Sequence, residues 1–194
     1  MESKWEEFRK QVVGLQRYLN LCKVEFIDRD GFKEFADQLY SNVGNYPEIC
    51  ITGYFSETIR EQLDRIISYV RTRGFGKVRL ICPYFPIKGK RDRNNLQSLR
   101  KINEAGATIK VNDRLHARFL VAYSQSENSE LIGGLLMLGS FDFNTECIGR
   151  ERYDAGIMTK HPDLVDSAIR LFDQIWNDDQ SEDLTKRYVE ELKG

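Results

Sequence analysis

Apolar and β-branched residues dominate Leu115 to Tyr123, and the run predicts a strand. Side chains alternate along a strand, so His116 and Arg118 point one way while Leu115, Ala117, Phe119 and Val121 point the other, toward a core. A second apolar run, Leu131 to Leu138, closes on Gly139-Ser140-Phe141-Asp142-Phe143-Asn144. Extended, this stretch puts Ser140, Asp142 and Asn144 on one face and both phenylalanines on the opposite one. A third run, Tyr153 to Met158, sets Asp154 among apolar neighbours. An imidazole, a guanidinium, a hydroxyl, an amide and a carboxylate on neighbouring strands are suited to holding a phosphate and attacking it.

The remainder of the chain alternates strands with helical periodicities. Trp5, Phe8, Val12, Leu15 and Leu19 recur at helical spacing over residues 3–20. A short strand follows at Val24 to Ile27, then a helix over Gly31 to Tyr40 and a loop from Asn42 to Pro47. Ile49 to Tyr54 reads as a buried strand. Ser56 caps a helix whose apolar stripe is Ile59, Leu63, Ile66, Ile67 and Val70, and Gly74 and Gly76 end it before the strand Lys77 to Cys82. Strand, helix, strand at this spacing is a crossover between parallel strands. Lys88 to Asn95 is expected as a basic loop, a solvated connection or a phosphate-contacting rim at the end of a parallel strand. Leu96, Leu99 and Ile102 mark the next helix, Gly106 ends it, and Thr108 to Val111 returns as a strand.

Ser124 to Glu130 is expected as a hairpin loop, with Gly133-Gly134 beyond it marking a bulge or a close backbone approach. Thr145 to Arg152 is expected as a connection over the site, on which Arg150 and Arg152 either face a substrate or are ordinary surface arginines. His161-Pro162-Asp163 opens a helix running to Trp176, and a charged helix over about 180–192 closes the chain. The pattern predicts one α/β domain over 1–194: a mixed, mainly parallel sheet flanked by helices on both faces, with an extra helix at each end.

At 194 residues the chain is long enough to bury a proper core. Charged residues make up 30% and the net charge is −1, which excludes a broad basic coat but leaves room for a local basic groove. No apolar stretch approaches a membrane span and the N-terminus has no secretory pattern, so the expected location is cytoplasmic. Cys22, Cys50, Cys82 and Cys147 lie far apart without a ligand pattern and read as buried free thiols of a reducing cytosol. The motif holds no cluster suited to a metal, and no cofactor is expected.

The residues His116-Ala117-Arg118 followed by Gly139-Ser140 and Asp154 resemble the phospholipase D superfamily, whose signature is His-x-Lys and, downstream, Gly-Ser-x-Asn. The resemblance spans roughly residues 48–178, including a closing helix that finishes Leu171-Phe172-Asp173-Gln174-Ile175-Trp176. Arg118 stands at the family's lysine, Tyr123 at the aspartate of the longer motif, and Asp142 at the asparagine, with Asn144 two residues on and facing the same side. The resemblance implies a metal-independent phosphodiesterase, a nuclease acting on DNA more than RNA. Its catalytic residues would be His116, Arg118, Ser140 and Asp154, and its substrate-binding ones Asn144, Asp142 and Arg152. His116 would be nucleophile or acid, and Arg118 the cation facing the phosphoryl oxygens. Ser140 and Asn144 would donate hydrogen bonds, and Asp154 would fix the imidazole tautomer. Asp142 sits awkwardly beside a phosphate unless it is paired or protonated, and pairing with Arg118 would be structural and weaken the site. Because one chain carries one motif histidine, a homodimer is expected. The alternative is a weakened or inactive nucleic-acid-binding module on the same fold.

Overall fold

The computed structural model describes residues 24–27, 46–54, 67, 76–140 and 155–189. The expected helices over 3–20, 31–40 and from Ser56 fall outside these residues, save Ile67, which is helical and buried. Among the described residues, eight strands form one mixed sheet: β1 Val24–Ile27, β2 Glu48–Thr52, β3 Lys77–Pro83, β4 Thr108–Asn112, β5 Phe119–Gln125, β6 Leu131–Gly139, β7 Gly156–Thr159 and β8 Ser181–Asp183. Their order is β1-β7-β6-β5-β2-β3-β4-β8. The sheet is mixed as expected but mainly antiparallel rather than mainly parallel: parallel pairing is confined to β2, β3 and β4, and the other neighbours, among them the β5–β6 hairpin, pair antiparallel. No helix among the described residues is long and apolar enough to cross a membrane.

Both faces of the sheet are covered, as period-two burial requires. One face carries Ile49, Ile51, Leu80, Ile109, Leu120, Ala122, Leu135 and Met137, against Leu96, Leu99 and Ile102 of α1, Lys90–Glu104. The other carries Cys50, Ile81, Phe119, Val121 and Leu136, against Val165, Ala168, Ile169 and Phe172 of α2, Pro162–Trp176. Pro162 opens α2 where its missing N–H would have no helical partner, and Asp163 complements the helix dipole. Burial pushes the Cys50 and Cys82 thiols up to about 12, so both stay protonated and inert. Cys22 and Cys147 lie outside the described residues.

The strand expected to run to Tyr54 ends at Thr52, and three other boundaries differ further from the sequence expectation. The strand expected from Leu115 begins only at Phe119: Asn112 Oδ1 accepts from Arg114 N at 2.8 Å and Asn112 O from Leu115 N at 3.3 Å, so the chain turns before it extends. The expected loop Lys88 to Asn95 is mostly the first turns of α1, because the Asp92 carboxylate accepts from Lys88 N at 2.9 Å and Gly89 N at 3.1 Å. The expected terminal helix gives way to β8 and a four-residue helix α3, Leu184–Arg187. Ser181, held by Asn112 Nδ2 at 2.8 Å, lays β8 along the otherwise open edge of β4.

The two glycines of β6 resolve into separate features. The bulge sits at Ile132, since Ser124 pairs with Gly133 and Gln125 with Leu131. Gly134 is the close approach: a Cβ there would meet Val165 Cγ1 of α2 at 2.5 Å.

Candidate active site

Five strand ends meet at one edge of the sheet. The parallel strands β2 and β3 finish there, at Thr52 and Pro83, and the antiparallel neighbours bring the start of β5, the end of β6 and the start of β7 beside them. Ligands of α/β sheets gather outside the carboxyl ends of parallel strands. Thr52 ties the edge together: its buried hydroxyl accepts from Phe119 N at 3.0 Å and donates to Phe119 O at 3.4 Å. Gly53 then turns the chain at φ 146°, a conformation that favours glycine, and donates its N–H to Ile81 O at 3.1 Å.

This turn opens a hollow of about 190 Å³, surrounding solvent included, lined by Gly53, Tyr54, Pro83, Leu115, His116, Ala117 and Arg118. His116 is exposed and Leu115 buried, so the alternation expected of a strand persists in the irregular segment before β5. Arg118 is held from two directions: Nη1 donates to Ser140 O at 2.7 Å, and the guanidinium carbon lies 5.8 Å from the centre of the Tyr54 ring. These contacts orient the guanidinium at the mouth of the hollow. Gly139 N donates to Arg118 O at 3.2 Å, continuing the β5–β6 ladder past its regular end.

Ser140 joins β6 to β7. Its N–H donates to Ala155 O at 3.0 Å and its hydroxyl accepts from Ala155 N at 3.2 Å. His116, Arg118 and Ser140 are therefore brought to one edge, while Asp142, Asn144, Arg152 and Asp154 lie outside the described residues. His161 is not at the site: it precedes α2 half-buried, with Nδ1 buried and without a hydrogen-bond partner among the described residues. Among the described residues no three His, Cys, Asp or Glu side chains converge as metal ligands would.

Tyr123, at the motif's aspartate position, is used on the far side of the sheet. Its hydroxyl accepts from Arg79 Nη2 at 3.0 Å, and Arg79 Nη1 pairs with Asp173 of α2 at 2.8 Å. The Arg79 guanidinium also lies 4.9 Å from the Phe172 ring centre and 5.6 Å from that of Trp176. The arginine on β3 thus finds its carboxylate on the helix and its hydroxyl on the strand, which fastens α2 to the sheet.

Tyr54, expected as the last residue of a buried strand, lies two residues past the end of β2 and is exposed. Tyr84, which the sequence does not single out, directly follows β3; position past the end of a parallel strand is the available signal.

The family profile described as "Cardiolipin synthase, PLD-like domain" matches residues 47–176. The chain belongs to the phospholipase D superfamily, and its mixed sheet with flanking helices is the fold of that superfamily. Among solved structures, a polyphosphate kinase from Porphyromonas gingivalis matches with a TM-score of 0.64 and 20% identity, over 84% of this chain and 29% of that one. Nuc from Salmonella typhimurium, a phospholipase D family member, matches at 0.58 and 13% identity over 82% of this chain and 96% of its own. NucT from Helicobacter pylori matches at 0.57 and 13% over 83% and 98%. The chain thus spans less than a third of the kinase and nearly all of the two short proteins; at these identities the likeness is one of fold. No curated protein sequence matches the chain significantly.

Proposed function

We propose that this protein is a metal-independent phosphodiesterase, a nuclease acting on DNA in preference to RNA, and that it works as a homodimer through His116. The observation that carries the reading is the exposed His116 beside an oriented Arg118 in a hollow at the carboxyl end of β2 and β3. The fold shared with Nuc, a phospholipase D family member, and the family match over residues 47–176 support this reading.

In the proposed reaction the neutral His116 imidazole attacks phosphorus, forming a P–N bond as the P–O bond to the leaving group breaks. The leaving oxygen takes a proton from the imidazolium of His116 of the partner subunit. Water then attacks phosphorus, gives its proton back to that second imidazole, and frees the first. Arg118 meets the charge on the phosphoryl oxygens, with Ser140 and Asn144 as donors. Asp154 accepts from the imidazole and sets its tautomer, and Arg152 reaches the substrate backbone. Asp142 pairs with a cation or holds a proton when phosphate binds. Two copies of one site facing each other across a two-fold axis meet the need for a nucleophile and an acid.

The test is hydrolysis of DNA and of a small phosphodiester in excess EDTA. Turnover should persist, and a His116→Ala chain should lose it by a factor of about 10³ or more without a change in Tm. A mixed dimer of wild-type and His116→Ala subunits should lose nearly all activity. Loss of activity in EDTA that magnesium restores would refute the mechanism; a fully active monomer in sedimentation would refute the dimer.

One observation favours a second reading. Arg118 donates to a main-chain carbonyl at 2.7 Å, a bond that would compete with a phosphoryl oxygen. A chain that binds oligonucleotide but turns over no phosphodiester would be the binding module.

A further inference from the structure

Exposed Tyr54 lines the hollow and exposed Tyr84 directly follows Pro83 of its lining, each with an arginine at its ring. Tyr54 follows β2 and Tyr84 follows β3, and these strands are hydrogen-bonded neighbours with Thr52 opposite Ile81, so both rings leave the sheet at the edge that carries His116. Tyr54 is 44% exposed and Tyr84 38%. Arg118 lies at the Tyr54 ring, and Arg187 at the Tyr84 ring, 4.5 Å from its centre. Tyr84 also stacks on Tyr188 at 5.6 Å, and Tyr188 is fixed by its hydroxyl, which donates to Phe85 O at 2.9 Å and accepts from Phe85 N at 3.1 Å. Tyr84 is therefore a braced surface, and the Arg187 guanidinium beside it is itself fixed by Asp113 at 2.9 Å and Glu182 at 3.6 Å.

Beyond Tyr84 the chain enters α1 through Lys88, Lys90, Arg91 and Arg93, all exposed, with Asp92 the one carboxylate among them. Asp92 accepts from Lys88 N and Gly89 N, so it caps the helix start while the four cations line the surface beside it. The net charge of the chain is only −1, which makes this concentration of positive charge local.

We infer that this edge is a track for single-stranded nucleic acid, with bases lying on Tyr54 and on the Tyr84–Arg187 surface while the sugar-phosphate chain runs from Arg118 toward the basic start of α1. The inference rests on the nucleic-acid reading above and names the form of the substrate. Cations alone would serve any polyanion. Aromatic faces interleaved with them serve bases, and a base can use such a face only when it is out of its duplex stack. Guanidinium planes stack on bases as rings do.

The experiment uses the full His116→Ala chain and four probes of matched length or charge: a single-stranded oligonucleotide, its duplex, an abasic strand and inorganic polyphosphate. The base-bearing single strand should bind about tenfold or more tightly than the other three. A 2-aminopurine in the strand should lose fluorescence on binding, as a stacked base does. Tyr54→Leu and Tyr84→Leu should each weaken single-strand binding about tenfold, and Tyr84→Trp should retain it. Lys90→Ala and Arg93→Ala should weaken all four probes alike and flatten the salt dependence. Equal affinity for the abasic and base-bearing strands, an unquenched 2-aminopurine, or stronger capture by anionic lipid vesicles than by the strand would overturn the proposal. Turnover of a small phosphodiester by the wild-type chain reports on the phosphodiesterase reading separately, so failure of one is not failure of the other.

Discussion

Arg79 and Arg118 are the same chemical group placed at opposite edges of one sheet, each against aromatic rings. Arg79, near the start of β3, has a side chain only 19% exposed; it holds Asp173 and the Tyr123 hydroxyl and lies against Phe172 and Trp176. Arg118, before β5, borders an open hollow, donating to Ser140 O and lying against Tyr54. A guanidinium whose countercharge is built into the fold fastens two elements together. One oriented by a carbonyl and a ring at the mouth of a hollow stands where an anion from solution can approach it.

The comparison breaks if the two arginines can be exchanged in their effects. Arg118→Ala should lower kcat/KM by about 10²-fold, the loss of one stabilising donor in the transition state, and leave Tm nearly unchanged. Arg79→Ala should do the reverse, costing about 3 kcal/mol of stability by leaving Asp173 and Tyr123 without their donor while sparing the turnover of whatever remains folded. Thermal melts and initial rates on both variants measure it. An Arg79→Ala chain that is stable but inactive would show that the two sites are one.

Much of this arrangement is legible in the sequence because it depends on period and order. Alternation in Phe119 to Tyr123 fixes the two faces of β5, and the run ending at Gly139-Ser140 fixes which end of β6 carries the site. The mixed sheet with helices on both faces follows from the same runs. What the sequence hides are contacts between segments far apart in the chain. Asp173 supplies the carboxylate to Arg79 from 94 residues away, and Ser181 covers β4 from 69. No local pattern announces either. The start of α1 was hidden by its charges: Lys88 to Asn95 reads as solvated loop until Asp92 is seen to cap the helix. Asp142, Asn144, Arg152 and Asp154 remain proposals from the motif alone.

A smaller effect sharpens the closed side. Gly134 lets α2 approach β6 so closely that Gly134→Ala would set a Cβ 2.5 Å from Val165 Cγ1 and 3.1 Å from Ala122 O. The helix must then shift from the surface that Arg79 and Asp173 join, at a cost of about 1–3 kcal/mol in chemical unfolding. Gly133→Ala, whose Cβ would meet only Tyr46 Cε1 at 3.9 Å, is the matched control and should cost much less. Smaller still is Arg118→Lys, which restores the family pattern and should raise turnover a few-fold, because a compact ammonium is freer to follow the phosphoryl oxygens than a fork held by Ser140 O. A fall in turnover would mean that the fork is what this site uses.

The smallest effect reads the charge of Arg79 through a neighbour. Glu48, at the start of β2, has its carboxyl raised above the usual range, first by burial; Lys77 and Arg79 pull it down and Asp173 pushes it up. A raised folded-state value means that the native chain holds this proton more tightly than the unfolded one. Its contribution to stability is then complete below the ordinary carboxylate range and fades as pH rises through the raised value. Glu48→Gln cannot ionise, so its Tm should gain on the wild type between pH 4 and pH 7. Removing Arg79 takes away one of the two charges that favour the carboxylate, so the same substitution in an Arg79→Ala background should gain more over that range. In an Arg118→Ala background the gain should match the wild type's. Melts at a series of pH values on the six chains give the comparison. A gain equally enlarged by Arg118→Ala would show that the open-edge arginine also acts on the buried carboxylate, and that the two guanidiniums are not electrostatically separate.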